Sequence, residues 1–335
     1  MTTPSIDPGA PAPITRILVA VDASPASMAA LRYLGQLLRP ALGPALGPEL
    51  GSELGSDTSV HIVSVAENPR SLVPLGTWAA EQLDAARDEI HRDAEQAAQA
   101  ALDALHGCGS RIDAEVIDLC KEGGDVVDAI AKAASRWPAD MVVLGTSHHR
   151  GLMRWVEGEV SAPFARLFRW PVLLVPAGYE AHEGEVPSRI LFATDGSDAS
   201  FAALRTATAL ATPYAHWCAI YVVDRLLAPG TGVFERKLEE TLSEVGDMAV
   251  AKARAELAAY GQEGWSVETA IVKTANSFDD VPHTLDREAK RWNAQLLVLG
   301  THGRRGLTRW LLGSVAERAT RLTSVPVFLV PPAME

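Results

Sequence analysis

Short runs of consecutive apolar residues alternate along the chain with longer stretches in which apolar residues recur every three or four positions. Ile17–Val21, Val60–Val65, Met141–Leu144 and Val172–Val175 are runs of the first kind, the pattern of strands buried on both faces. Leu83, Ala86, Ile90, Ala94, Ala97 and Ala101 follow the helical spacing and predict a long amphipathic helix. A strand around Val116 and a helix through Val127 and Ile130 fill the interval before Met141. At the end of the first run stands Asp22-Ala23-Ser24-Pro25, where Ser24 suits a helix N-cap and Pro25 a first helical position. Short strands separated by helices predict an α/β fold with a doubly wound parallel sheet.

The same pattern occurs twice. ILVAVDAS from Ile17 returns as ILFATDGS from Ile190, 173 positions on, and HIVSVAE from His61 returns as CAIYVVD from Cys218, at an offset of 157. ADMVVLGT from Ala139 returns as AQLLVLGT, and WPVLLVPA from Trp170 as VPVFLVPP, both at an offset of 155. A tandem repeat follows, with a first domain over 14–177, a linker over 178–187 and a second domain over 188–332. The drop in offset equals the 16 residues of ALGP-ALGP-ELGS-ELGS at 41–56, so the first copy carries a low-complexity insert. Its Gly and Pro content predicts a solvated loop.

In doubly wound sheets, ligands bind beyond the carboxyl ends of the strands where the winding reverses. After the strand LLVLG, the second copy has Gly300-Thr301-His302-Gly303-Arg304-Arg305-Gly306, and ten positions beyond Gly303 stand Gly313 and Ser314. In this G-x2-G-x9-G-S spacing, glycines let backbone amides approach phosphate oxygens closely. Ser314 places a hydroxyl at the start of the next helix, where free amides and the helix dipole favour an anion. The same residues also fit a plain turn, with Ser314 and Glu317 as a capping box. Asp195, at the end of a strand, can accept hydrogen bonds from ribose hydroxyls or form an Asx turn.

In these features the chain resembles the universal stress protein family in its tandem form. The resemblance runs from about Ile14 to Pro332. It rests on the opening strand ending in Asp-x-Ser, the closing P-V-x-L-V-P strand and the G-x2-G-x9-G-[ST] loop. It implies an adenine nucleotide alpha hydrolase-like fold and an ATP site in the second copy, with Mg2+ arriving on the nucleotide. The residues implicated are Ala193, Thr194 and Asp195 after the first strand and Val222 in the second. Around the loop they are Leu299, Gly300, His302, Gly303, Gly313, Ser314 and Val315. The implied role is a stress-response regulator or sensor with at most slow hydrolysis. A nucleotide-independent scaffold and a slow ATPase remain the alternatives. The family's closing strand pairs across a two-fold axis, and a tandem chain can satisfy that pairing internally through Val172–Val175 and Val327–Val330, leaving homodimerisation through other surfaces open.

The copies diverge in the loops. The first has Gly145-Thr146-Ser147-His148 and later Gly158-Glu159, so a histidine replaces the second glycine and a carboxylate the hydroxyl; phosphate binding is expected to be lost there. The neighbouring His148 and His149 lack further ligands at metal spacing and read as loop residues. Conversely, the first copy has Lys121-Glu122-Gly123-Gly124-Asp125 where the second has Asn276-Ser277-Phe278-Asp279-Asp280, and Phe278 is expected to narrow the site mouth.

Composition restricts the partners. A net charge of −12 with no dense basic run argues against nucleic acid. Three cysteines at no metal or redox spacing fit a reducing, cytoplasmic setting. No apolar stretch approaches the length of a membrane span. No nucleophile–base pair stands out, so no catalytic residue and no protein-bound metal is expected.

Overall fold

The computed structural model describes residues 13–38, 54, 57–72, 80–108, 111–146, 167–180, 187–224, 233–260, 264–275, 279–302 and 312–332. The first copy runs β1 (Arg16–Val21), α1 (Pro25–Leu38), β2 (Ser59–Ala66), α2 (Pro69–Leu72), α3 (Ala80–Leu105), β3 (Arg111–Asp118), α4 (Leu119–Glu122), α5 (Val126–Arg136), β4 (Met141–Thr146) and β5 (Val172–Pro176). The second runs β6 (Arg189–Ala193), α6 (Asp198–Ala207), β7 (His216–Val223), α7 (Val233–Tyr260), β8 (Ser266–Lys273), α8 (Val281–Arg291), β9 (Leu296–Gly300), α9 (Ser314–Leu322) and β10 (Val327–Val330). The one-turn helices α2 and α4 escape the periodicity because they are too short to show it. Asp118 starts α4 by accepting a hydrogen bond from the Cys120 backbone N–H.

All ten strands form one sheet, in the order β3-β2-β1-β4-β5-β10-β9-β6-β7-β8. Each copy supplies five parallel strands, and the copies meet where β5 and β10 pair antiparallel, Val172 opposite Leu329 and Leu174 opposite Val327. The two closing strands thus cover each other's edges inside one chain. A second link crosses the join, since the buried Tyr33 hydroxyl donates to the Gln295 carbonyl at 3.0 Å. The edge strands left at the ends are β3 and β8; Arg111, Asp113 and Glu115 put charge on the first of these, which discourages further pairing.

Helices cover both faces. Buried residues of α1, α3, α6 and α7 pack with Ile17, Val19, Phe192, Val298 and Phe328 on one face. Residues of α5, α8 and α9 pack with Leu18, Val142, Leu297 and Leu329 on the other. Strands β4 and β10 are buried along their whole length, which explains their unbroken apolar runs. Each fully buried Leu, Val or Phe contributes about 1.5–3 kcal/mol relative to exposure. The insert is not wholly solvated as expected. Leu54 in its last tetrapeptide is 3% exposed and joins the core under α1, because an apolar residue close to β2 gains more from burial than the connection loses in freedom.

Candidate functional site

In the second copy β7 and β8 lie on one side of β6, and β9 and β10 on the other. The winding therefore reverses between β6 and β9, and a crevice opens beyond their carboxyl ends. Their pairing stops at Phe192 opposite Val298, while Leu299 and Gly300 stay paired with Leu329 and Val330. The chain after Phe192 and the chain after Val298 thus part at the place where the sequence puts its candidates.

Beyond β6, the Thr194 backbone N–H donates to the Ile220 carbonyl at 3.0 Å. The buried Thr194 hydroxyl lies 2.8 Å from that of Ser200 and accepts from the Gly196 backbone N–H at 3.0 Å. Gly196 has φ +84°, a conformation that favours glycine. Asp195 Oδ1 accepts from the Ser197 backbone N–H at 3.0 Å and from its hydroxyl at 2.6 Å, so one of its oxygens forms the Asx turn. Ser197 in turn caps α6 by accepting from the Ser200 backbone N–H at 3.2 Å. Gly300 closes this wall, since a Cβ there would lie 3.3 Å from the Ala199 carbonyl and from Ser200.

Beyond β9, the fully buried Thr301 anchors the glycine loop at both ends. Its N–H donates to the Val330 carbonyl at 2.9 Å, and its carbonyl accepts from the Gly313 N–H at 2.8 Å. The Thr301 hydroxyl also lies 2.9 Å from His302 Nδ1. Thr301 was missed by motif reasoning, although the repeated Gly-Thr pair, Gly145-Thr146 and Gly300-Thr301, was its signal. The helix-cap reading needs a correction. Gly313, not Ser314, is the N-cap of α9; it makes no side-chain cap bond, and Ser314 is the first helical residue. The Glu317 carboxylate turns to Arg321 at 2.8 Å, so no capping box forms. Ser314 and Val315 are exposed at this helix start. A Cβ on Gly313 would come within 3.1 Å of the Thr301 carbonyl.

The structure brings Ala193, Thr194, Asp195, Gly300, His302, Gly313, Ser314 and Val315 to one edge of the sheet. Leu299 is buried in the core beneath it, and the half-buried Val222 pairs with Val272 near the end of β7. Gly303, Arg304, Arg305 and Gly306 lie outside the described residues, as do Phe278, His148, His149, Gly158 and Glu159. Asp279 proves structural. Its buried carboxylate accepts from the Ala275 N–H at 2.6 Å, from the Thr284 hydroxyl at 3.1 Å and from Arg287 at 2.9 Å. Burial alone would raise its pKa, and these bonds reverse that and lower it. Asp280 caps α8 through His283 and meets Arg318 of α9 at 2.6 Å. Burial likewise pushes its pKa up, and those partners bring it below the ordinary value. Among the described residues no three His, Cys, Asp or Glu side chains are grouped to hold a metal ion.

A sequence model of the universal stress protein family matches residues 13–176 and again 187–331. The chain belongs to that family. A universal stress protein of Methanocaldococcus jannaschii is 35% identical over 147 residues, covering 42% of this chain and 81% of that protein. One of Mycolicibacterium smegmatis is 28% identical over 324 residues, covering 94% of this chain and 97% of the relative, so it shares the tandem length. The crystal structure of a universal stress protein from Archaeoglobus fulgidus superposes over 95% of this chain and 96% of its own, with a TM-score of 0.58 at 18% identity; that likeness supports the fold alone. No described helix of this universal stress protein is long and apolar enough to cross a membrane.

Proposed function

We propose that this universal stress protein binds ATP in its second copy and acts as a nucleotide-dependent regulator or sensor of stress. The observation that carries this reading is the start of α9. It is capped by a glycine without a side-chain hydrogen bond and held beside the winding reversal by the Thr301–Gly313 bond. A helix start of this kind offers backbone amides and a positive dipole end to phosphate, and Ser314 adds a hydroxyl. Asp195 and the β7 end at Val222 would take the ribose and base, Leu299, Gly300 and His302 would floor the crevice, and Gly303, Gly313, Ser314 and Val315 would hold the phosphates. Mg2+ comes with the nucleotide, since a magnesium ion bound through phosphates keeps most of its own waters.

Titration of the whole chain with ATP and Mg2+ tests the proposal. A carboxylate placed among phosphates repels each by about 4 kcal/mol at 4 Å in a partly buried site, so Ser314→Glu and Gly303→Asp are each expected to weaken binding at least tenfold. Equal affinity in wild type and both variants overturns the reading and leaves a nucleotide-independent scaffold in its place. Turnover well above the uncatalysed rate would instead make the protein a working ATPase.

A further inference from the structure

We propose that Asp280 and Arg318 are positioning residues for the phosphate end of the second copy: their ion pair fixes the rotation of α9 and so the direction in which Ser314 and the first-turn amides face the crevice. The proposal rests on the nucleotide reading of the second copy for what this helix start holds, and on the pair's own geometry for how it is held.

Asp280 caps α8 by accepting from the His283 N–H at 3.0 Å, and the His283 ring lies 2.7 Å from the same oxygen. The other oxygen, Oδ2, meets Arg318 of α9 at 2.6 Å. One carboxylate thus joins the cap of one helix to the second turn of the next. Arg318 stands four residues beyond Ser314, about 6 Å along the helix and about 40° round it, so the two side chains share a face. The start of α9 is tied by the Gly313 N–H, which donates to the Thr301 carbonyl at 2.8 Å and acts as a pivot. The residues of α9 buried with Leu285 and Ala289 of α8 are Ala316 and Ala319, whose methyl groups interlock weakly. A side-chain oxygen stands about 5 Å from a helix axis, so a turn of about 10° moves it about 1 Å, enough to break a hydrogen bond.

The first copy supplies the contrast. Asp125 caps α5 in the same way, accepting from the Asp128 N–H at 2.8 Å. At the offset of 155, however, Asp128 stands where the second copy has His283, and Pro163 where it has Arg318. Glu159 replaces Ser314 in that same copy. The capping aspartate is kept in both copies and the arginine only beside the serine, so the arginine serves something the cap does not need.

Plain electrostatics predicts the opposite sign for one substitution. A carboxylate near phosphates repels them, so neutralising it ought to tighten ATP, whereas a positioning role makes the same change weaken it. The test titrates the whole chain with ATP and Mg2+, and separately with adenosine, in Asp280→Asn, Arg318→Ala, Arg318→Lys and the Asp280→Asn, Arg318→Ala double variant. Asparagine caps a helix as well as aspartate does, so Asp280→Asn should keep the fold. Asp280→Asn and Arg318→Ala are each expected to weaken ATP about three- to fivefold, the scale of a half-exposed ion pair. Adenosine, which has no phosphate to place, should bind these variants as it binds the wild type. The double variant should lose no more than either single one, and Arg318→Lys should recover part of the loss. The Glu317 amide closes the first turn of α9 on the Gly313 carbonyl at 2.9 Å, and its hydrogen exchange should quicken by a similar factor in Asp280→Asn with no nucleotide present. Tighter ATP in Asp280→Asn, equal losses for ATP and adenosine, additive losses in the double variant, or an unchanged Glu317 amide would each overturn the proposal. ATP that fails to bind, or binds Ser314→Glu as well as wild type, overturns the nucleotide reading instead, and the amide still decides whether the pair holds α9.

Discussion

Gly145 and Gly300 lie at the carboxyl ends of equivalent strands, one residue before the last of β4 and the last of β9, and face the first turn of equivalent helices, yet the structure predicts opposite outcomes for alanine at the two positions. At Gly145 a Cβ would clash with the carbonyl carbon and oxygen of Ala26 and lie 2.6 Å from Ser27 N. Ordinary carbon contacts begin near 3.5 Å, so α1 would have to retreat by about 1 Å. That retreat would carry buried Ala26, Ser27, Ala29 and Ala30 with it and strain the 3.0 Å bond from Asp22 N–H to the Ser27 hydroxyl. Overpacking a closed site commonly costs about 1–3 kcal/mol, and a backbone obstacle that cannot rotate aside puts Gly145→Ala at the upper end, about 3 kcal/mol. At Gly300 the nearest atoms are 3.3 Å away, which a shift of a few tenths of an ångström relieves. The stiffer unfolded chain of an alanine variant returns about 0.4–1 kcal/mol, so Gly300→Ala should stay within about 1 kcal/mol of wild type.

Urea unfolding followed by tryptophan fluorescence measures both. The small shift at Gly300 also pushes on Ala199 and on Ser200, whose N–H and hydroxyl both donate to Ser197 of the Asp195 turn, so ATP affinity should fall a few-fold while stability holds. Equal destabilisation by the two substitutions, or a larger loss for Gly300→Ala, would refute the reasoning from helix approach.

Acid should weaken the fold through Asp118. Burial alone raises its carboxyl, but bonds from Arg87, the Cys120 backbone and Lys121 take its pKa to about 2 from 3.8. The stability it contributes is present above pH 3.8 and lost as pH falls toward 2; Asp118→Asn should flatten that part of a melting-temperature-against-pH curve, and an unchanged slope would count against the ion pairs. Tyr33→Phe removes the hydrogen bond across the join and should cost about 1 kcal/mol. Burial holds the Tyr33 hydroxyl well above its ordinary value of 10.0. Its stability is therefore complete below pH 10 and lost as pH rises through the folded-state value, and the Phe variant should lose less in alkali. Leu329→Asp buries a charge in β10 opposite Val172 and should destabilise the chain without changing its mass by light scattering. Dissociation of a dimer by this substitution would contradict pairing within one chain.

The strands and their order of appearance were legible because a parallel strand buried on both faces needs an unbroken apolar run. Met141–Leu144 and Val327–Val330 are buried throughout, and their runs say so. The join was legible only through the family resemblance, which implies pairing of the closing strand across a two-fold axis; the recurrence of that strand put both partners in one chain. The role of Asp195 was not, because the same side chain can form an Asx turn and face a ligand, and spacing does not separate the two. Ser314 misled for a related reason: Ser followed three residues later by Glu satisfies the capping pattern, but Gly313 already has the cap's backbone geometry. Leu54 was hidden by its repeat, since ELGS at 53–56 is identical to ELGS at 49–52 and nothing in its sequence marks this leucine for burial. Asp279, beside Phe278 in the second copy's divergent turn, braces the start of α8 through three bonds to its own loop and helix, a role its place in the turn does not announce.

The antiparallel join has a consequence for how the copies can influence each other. Every strand of the first copy is parallel to β5 and every strand of the second to β10, and β5 and β10 oppose each other. The carboxyl ends of the two copies therefore point to opposite edges of the sheet, and one ligand cannot bridge them. Any coupling between the crevices must pass through packed structure. β10 carries the Thr301 anchor of the glycine loop through the Val330 carbonyl and pairs with β5 through Val172–Leu174. β5 in turn pairs with β4 through Val175 opposite Gly145, at the first copy's strand ends. A displacement at Thr301 thus has a path of strand hydrogen bonds to Gly145, and Tyr33 supplies a parallel route from α1 to the residue before β9. Close-packed interiors switch between discrete arrangements rather than deforming continuously, so a ligand in one copy would affect the other only if it favours a different seating of β10 on β5.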